Sequence, residues 1–115
     1  MKTICNPLIG LTLTLAILVG CTSDSVMQPE PCMEVLTYEA GVDQLIQNNC
    51  NLSGCHDGSG GVGNYNSYQG IQRSLENGQF KQLVLIERSM PKGQSLSEAE
   101  YEIFRCWAEN NFPQN

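Results

Sequence analysis

Two cysteines and the one histidine of the chain lie together in the segment Cys50-Asn51-Leu52-Ser53-Gly54-Cys55-His56. Two thiols can form thioether bonds to the vinyl groups of a haem, and a histidine beside the second thiol can supply a nitrogen ligand to iron. The common spacing for this chemistry is C-x-x-C-H, whereas four residues separate the cysteines here. The insert is flexible enough to bulge while Cys50 reaches the second vinyl group. The pattern therefore indicates one covalent haem c at Cys50, Cys55 and His56.

Met90 is the candidate for a second iron ligand. It lies 34 residues after His56, in Ser89-Met90-Pro91. Because a proline disfavours helical backbone at the preceding residue, we expect the Met90 side chain on a stiffened loop. A thioether opposite an imidazole suits a low-spin haem that carries an electron without binding substrate. Two other methionines, Met27 and Met33, precede the haem motif in a polar segment where an axial ligand is not expected.

Each of these residues has an ordinary structural alternative. In an exported protein Cys50 and Cys55 could form a disulfide, His56 could be a surface residue, and Met90 could fill a core. A zinc site would need Cys32 or Cys106 to join the motif, and the spacing matches no zinc finger. The glycine-rich residues 58–63 lack the strand and helix of a phosphate-binding loop, so we expect them at the haem edge. No set of residues indicates a hydrolase, and the chain is not expected to be an enzyme.

The elements that position these residues are predicted to be short helices joined by long loops, giving a mostly α fold. Apolar spacing predicts a helix between Tyr38 and Asn49. Ser67 is the predicted N-cap of a helix over residues 68–76, which Asn77-Gly78 ends. Residues 79–87 predict a further helix, although residues 84–86 alone could form a strand.

The terminal helix has the clearest signals. Ser97 and Glu100 form a capping box, and Leu96 can pack on Tyr101 across the first turn. Asn110-Asn111 and the following Pro113 end the helix. Four aromatic residues are predicted to line a haem pocket or to form ordinary core, and these are Tyr65, Tyr68, Phe104 and Trp107.

Residues 1–20 predict an export signal. The apolar run from Leu8 to Val19 is short for the ~30 Å of a bilayer core, and it fits a secretory signal peptide better than the alternative of a transmembrane anchor. Leu18-Val19-Gly20-Cys21 resembles the lipobox of bacterial lipoproteins. That resemblance implies a lipidated Cys21 and attachment to the periplasmic or cell-surface side of a bacterial membrane. Residues 21–37 are then expected to be a polar tether and residues 38–115 the folded domain.

The remaining cysteines form an even pair. Cys5 leaves with the signal peptide, Cys21 takes the lipid, and the haem motif takes two more, which leaves Cys32 and Cys106. In an oxidising compartment this pair predicts a disulfide, with two separate buried thiols as the alternative.

The charge balance excludes one class of partner. Loss of Lys2 with the signal peptide leaves five basic and twelve acidic residues. A chain this acidic lacks the basic surface that nucleic acids require. It is compatible with docking to a basic redox protein, or its charge serves solubility alone.

The stretch from about Val42 to Asn115 resembles class I c-type cytochrome domains, in particular a bacterial lipoprotein group with a C-x4-C-H haem site. It covers about two-thirds of the chain. The shared features are Ile46-x3-Cys50, Ser53-Gly54-Cys55-His56-Asp57, Tyr65, Tyr68, Met90-Pro91-Lys92-Gly93 and Leu96-Ser97…Ile103…Trp107-Ala108-Glu109-Asn110. The resemblance implies haem thioethers at Cys50 and Cys55, axial ligands His56 and Met90, and first and last helices that cross beside the haem. Asn110-Asn111-Phe112 departs from the pattern, since many relatives have a glycine there.

The function implied is that of a membrane-anchored monohaem electron carrier between redox proteins outside the cytoplasm. Filled axial positions would leave no site for catalysis. Two alternatives stay open: a haem-based ligand-binding or sensing domain in which Met90 detaches, and a haem-free interaction lipoprotein stapled by a disulfide.

Overall fold

Helices are the regular structure of residues 29–115, which the computed structural model describes. The predicted signal peptide at residues 1–20, the lipidation site Cys21 and Met27 lie outside the described residues. Within them there is no strand, only an isolated bridge between Asp57 and Asn64. No helix in this part of the chain has the length and hydropathy to cross a membrane. The prediction of a mostly α fold is confirmed at the level of a small helical domain.

In chain order the elements are a π-helical turn (Tyr38–Val42), α1 (Asp43–Asn49), α2 (Tyr68–Glu76), a π-helical segment (Lys81–Ile86) and α3 (Glu98–Glu109). The first predicted helix is interrupted, because Gly41, inside the π-helical turn, adopts φ of 150° and kinks the backbone shortly before α1. The helix predicted over residues 79–87 is present, and the alternative of a strand is not. Its segment Lys81–Ile86 is a π-helix, which has a wider turn than an α-helix. The N–H of Glu87 donates to the carbonyl of Gln82, five residues earlier.

The starts of α2 and α3 follow the capping residues in the sequence. The Ser67 hydroxyl accepts a hydrogen bond from the Gly70 N–H at 3.2 Å. Ser97 and Glu100 form the reciprocal capping box at α3. Each cap satisfies backbone N–H groups that a helix leaves without an internal partner. These local contacts fix where two of the elements begin.

An aromatic cluster forms much of the core and consists of Tyr38, Phe80, Phe104, Trp107 and Phe112. Trp107 is fully buried at its centre. Its ring packs edge-on against Phe112 at 4.9 Å and against Phe80 at 5.7 Å between centroids. Edge-to-face packing at these separations is the favourable arrangement for aromatic rings. The cluster therefore holds α3 against the beginning and the end of the domain.

Residues 31–37 pack on the domain instead of standing apart from it as a tether. The compact unit begins at Pro31. Cys32 is joined by a disulfide to Cys106 on α3, with the Cα atoms 5.5 Å apart. Leu36 packs against the core, and the Tyr38 N–H donates to the Pro113 carbonyl at 2.9 Å. Covalent and main-chain bonds thus join the two ends of this unit.

Candidate functional site

A cavity of about 440 Å³ lies beside the Cys50–His56 segment. Cys50, Cys55, His56 and Met90, the four residues predicted to hold a haem, all line it. The volume falls within the ~300–1,000 Å³ of small-molecule and cofactor sites. The other residues around it are Asn49, Leu52, Gly54, Gly60, Val62, Tyr65, Gln79, Phe80, Leu83, Val84, Pro91 and Lys92.

The four-residue insert closes on itself and brings its two cysteines together. The Cys55 N–H donates to the Leu52 carbonyl at 2.9 Å, and the His56 N–H donates to the Cys50 carbonyl at 3.2 Å. Both thiols are free, with Cys50 buried and Cys55 exposed. Burial raises the pKa of the Cys50 thiol to about 11, and the neighbouring Cys55 adds to the shift. The bulged insert therefore presents a protonated Cys50 thiol and the exposed Cys55 thiol at one edge of the cavity.

The glycine-rich loop lies directly against the insert. A side-chain carbon at Gly60 would come within 2.5 Å of the Gly54 carbonyl oxygen and 2.6 Å of the Cys55 carbonyl oxygen. Only glycine permits so close an approach of two backbones. The Asp57 carboxylate fixes the start of the loop by accepting from the Ser59 N–H at 2.9 Å. Gly60 and Val62 consequently form one wall of the cavity, as expected for a loop at its edge.

The His56 imidazole has a fixed plane. Its ring stacks on the ring of Tyr65, with centroids 3.9 Å apart and planes 4° apart. The Tyr65 N–H also donates to the His56 carbonyl at 2.7 Å. Burial lowers the pKa of His56, while a weak interaction with the Val62 backbone opposes the shift. Nδ1 is buried and makes no well-formed hydrogen bond within residues 29–115. At neutral pH the imidazole is therefore uncharged, which is the form that binds a metal ion.

Met90 is held at the cavity from its backbone. Its N–H donates to the Leu83 carbonyl at 3.2 Å, and that carbonyl also accepts from the Ser89 N–H at 2.9 Å. The π-helical segment leaves the Leu83 carbonyl available for these bonds from the following loop. Met90 is partly buried against the core, whereas Met33 is 94 % exposed. Of these two methionines, Met90 alone lines the cavity.

The wall formed by residues 79–84 was not predicted as part of the site. Phe80, Leu83 and Val84 line the cavity together with Gln79. The signal was present, because apolar residues at these spacings share one helical face. Of the four aromatic residues predicted for pocket or core, Tyr65 lines the cavity. Tyr68, Phe104 and Trp107 pack in or against the core.

The second cysteine pair lies away from the cavity, where Cys32 is bonded to Cys106 of α3. The Sγ atoms of Cys32 and Cys106 and a carboxylate oxygen of Glu102 lie within 4.8 Å of one another. The sulfur atoms are bonded to each other, and Arg105 pairs with Glu102. A positive charge and an oxidised sulfur pair do not suit a cation. The two cysteines that a zinc site would need are thus committed to the disulfide.

Comparison with known proteins adds no relative to this description. No family model, no curated protein and no solved structure matches the chain. The donor groups and the cavity are therefore the basis on which a function is assigned.

Proposed function

We propose that the chain is a monohaem c-type cytochrome that is held to a bacterial membrane by a lipid on Cys21 and transfers electrons between redox proteins outside the cytoplasm. One observation carries the proposal: the attachment thiols Cys50 and Cys55, the imidazole of His56 and the thioether of Met90 all line a single cavity. They come from two segments more than thirty residues apart in sequence.

The residues fit the group they would hold. Haem c needs two thiols for thioether bonds and a neighbouring histidine, and its iron accepts imidazole and thioether ligands. When bound, the haem supplies a one-electron couple between ferric and ferrous iron. Stacking on Tyr65 orients the His56 ring, and the hydrogen bond from the Met90 N–H to the Leu83 carbonyl holds the backbone that carries the thioether.

The rest of the cavity favours electron transfer over catalysis. Phe80, Leu83 and Val84 give it an apolar wall, and a low-polarity wall together with Met ligation raises the potential relative to two histidines. With His56 and Met90 as its ligands, the iron of a bound haem would have no coordination site left for a substrate. The alternative of a sensing domain requires Met90 to leave the iron, and the ligand state therefore separates the two functions.

The first experiment tests attachment. The full-length chain is produced in a bacterial host with haem-attachment machinery, and the exported protein is examined by pyridine haemochrome spectrum and intact mass. The mass should exceed that of the polypeptide by one haem and the lipid on Cys21, and acid–acetone should extract no haem. A Cys50→Ala/Cys55→Ala variant should lose all covalent haem, whereas Cys32→Ser should keep it. Colourless protein, or haem that stays covalent in the double variant, would exclude the proposal.

The second experiment tests Met90 as the sixth ligand. Met90→Ala should lower the midpoint potential, because the thioether favours ferrous iron, and should open the iron to cyanide or imidazole. Met33→Ala is the matched control, since that side chain is exposed away from the cavity, and Met27→Ala should behave in the same way. Spectra and potentiometry on the three variants decide between carrier and sensor. A Met90→Ala protein that resembles wild type shifts the assignment to a five-coordinate or differently ligated haem.

A further inference from the structure

We infer that Lys92 binds a haem propionate at the edge of the cavity and thereby sets the potential, an assignment that rests on the proposed function. The inference is based on the charged residues that line the cavity. The chain carries twelve acidic residues against six basic ones, yet no acidic residue among those described lines the cavity. Lys92 is the single charged residue that does.

Lys92 also has no ion-pair or hydrogen-bond partner for its side chain among residues 29–115. Two other cations among the described residues form ion pairs: Arg88 pairs with Glu98, and Arg105 pairs with Glu102 and Glu109. No carboxylate between residues 29 and 115 lies within ion-pair distance of Lys92. The charge of Lys92 is therefore not neutralised by a described carboxylate, and its place beside the cavity makes that charge available to a ligand.

The backbone around Lys92 is fixed at the cavity wall on both sides. Upstream, the Met90 N–H donates to the Leu83 carbonyl at 3.2 Å. Downstream, the Gln94 side-chain amide donates to the carbonyl of Asn49, itself a cavity residue, at 3.1 Å. The flexible lysine side chain therefore starts from a fixed position next to the proposed iron ligand.

The chemistry of the ligand matches this position. A haem is apolar over most of its area and carries two carboxylates at one edge. An apolar cavity with one cation among its lining residues is complementary to that distribution, and the Gln79 amide can donate a further hydrogen bond. An ammonium group beside a propionate neutralises negative charge near the iron and so favours the ferrous state.

The test uses the holoprotein and three variants. Lys92→Gln should lower the midpoint potential and should change the propionate bands in redox-difference infrared spectra. Lys92→Arg, which keeps the charge, should restore the potential most of the way to wild type. Lys81→Gln is the matched control: Lys81 is also exposed and without an ion pair among the described residues, but it does not line the cavity. Its potential and its propionate bands should stay at wild-type values.

The outcomes separate this inference from the proposed function. A covalent haem whose potential and propionate bands respond equally to the two glutamine variants overturns the role of Lys92 and leaves the cytochrome assignment intact. A lowered potential without any change in the propionate bands also overturns it, since the lysine then acts only through space. Wild-type protein without haem overturns both.

Discussion

The aromatic cluster and the cavity are built in opposite ways although they share Phe80. In the cluster, rings pack edge to face around a fully buried Trp107. Around the cavity, Leu52 and Val62 remain 39 % and 60 % exposed, and the backbone is held by turns, a close glycine contact and hydrogen bonds to Leu83. The difference indicates that the cluster stabilises the fold, whereas the exposed apolar groups at the cavity contribute little to it and suit the proposed cofactor.

The disulfide belongs to the first of these regions. Cys106 precedes Trp107 on α3. The bond from Cys106 to Cys32 fixes the start of the domain to this helix, and the aromatic cluster holds the end of the domain against the same helix. Neither cysteine of that bond lines the cavity. The free pair Cys50 and Cys55 lies in the second region. The two cysteine pairs are thus divided between stability and the proposed cofactor chemistry.

The largest effect is expected from truncation of the aromatic cluster. Trp107→Ala should lower the free energy of unfolding by ~3–5 kcal/mol, because it removes a fully buried ring and leaves a cavity. Val62→Ala at the cavity edge should change it by less than ~0.5 kcal/mol, as exposed positions do. Urea unfolding followed by circular dichroism measures both. Equal losses in the two variants would contradict the division of the molecule into a packed and an open region.

The disulfide should have a somewhat smaller effect. Cys32→Ser/Cys106→Ser should cost ~2–5 kcal/mol, since the bond closes a long loop in the unfolded chain. Its haem spectrum and midpoint potential should be those of wild type. Thermal unfolding measures the loss of stability, and potentiometry measures the midpoint potential. Two thiols that alkylate freely in native wild-type protein would show that the bond is absent.

Local signals in the sequence were sufficient to predict where α2 and α3 begin. Ser67 and the Ser97–Glu100 box act within three residues, and Asn77 follows α2 where predicted. The π-helical geometry of Lys81–Ile86 could not be predicted, because the apolar spacing that indicates a helix does not distinguish a π-helix from an α-helix. The bond between Cys32 and Cys106 was expected from the cysteine count. The packing of Leu36 on the core and the bond from the Tyr38 N–H to the Pro113 carbonyl could not be predicted, because a polar segment with prolines gives no local sign of those partners.

The candidate site likewise has a part that could be predicted from the sequence and a part that could not. The residues with distinctive chemistry, Cys50, Cys55, His56 and Met90, could be selected from type and spacing. The stacking of Tyr65 on His56 depends on how the glycine-rich loop folds back. The cavity itself depends on how residues 79–92 meet the segment from Cys50 to His56, which no local pattern in the sequence specifies.

The smallest effect concerns the junction of the two regions, where α3 begins beside the end of α1. Hydrogen bonds from the Ser97 N–H and hydroxyl, and then from the Asn49 amide, lower the pKa of Glu100. Because the folded pKa lies below the unfolded value, the ionised carboxylate stabilises the fold above the unfolded value, ~4.3 for glutamate. That contribution is lost as the pH falls through the folded pKa.

Glu100→Gln should therefore reduce stability at neutral pH and flatten its dependence on pH below about 5, and Ser97→Ala should cost ~1 kcal/mol through the lost cap. Glu98→Gln is the control, because it removes a carboxylate from the same helical turn without touching the capping box. Urea unfolding between pH 3 and pH 7 on the three variants gives the comparison. Asn49 lines the cavity and also donates to Glu100 at 3.1 Å, so protonation of this carboxylate should loosen the cavity wall slightly as well. If Glu98→Gln flattens the acid dependence as much as Glu100→Gln does, the effect arises from the charge of the helix terminus and not from the capping box that joins the two regions.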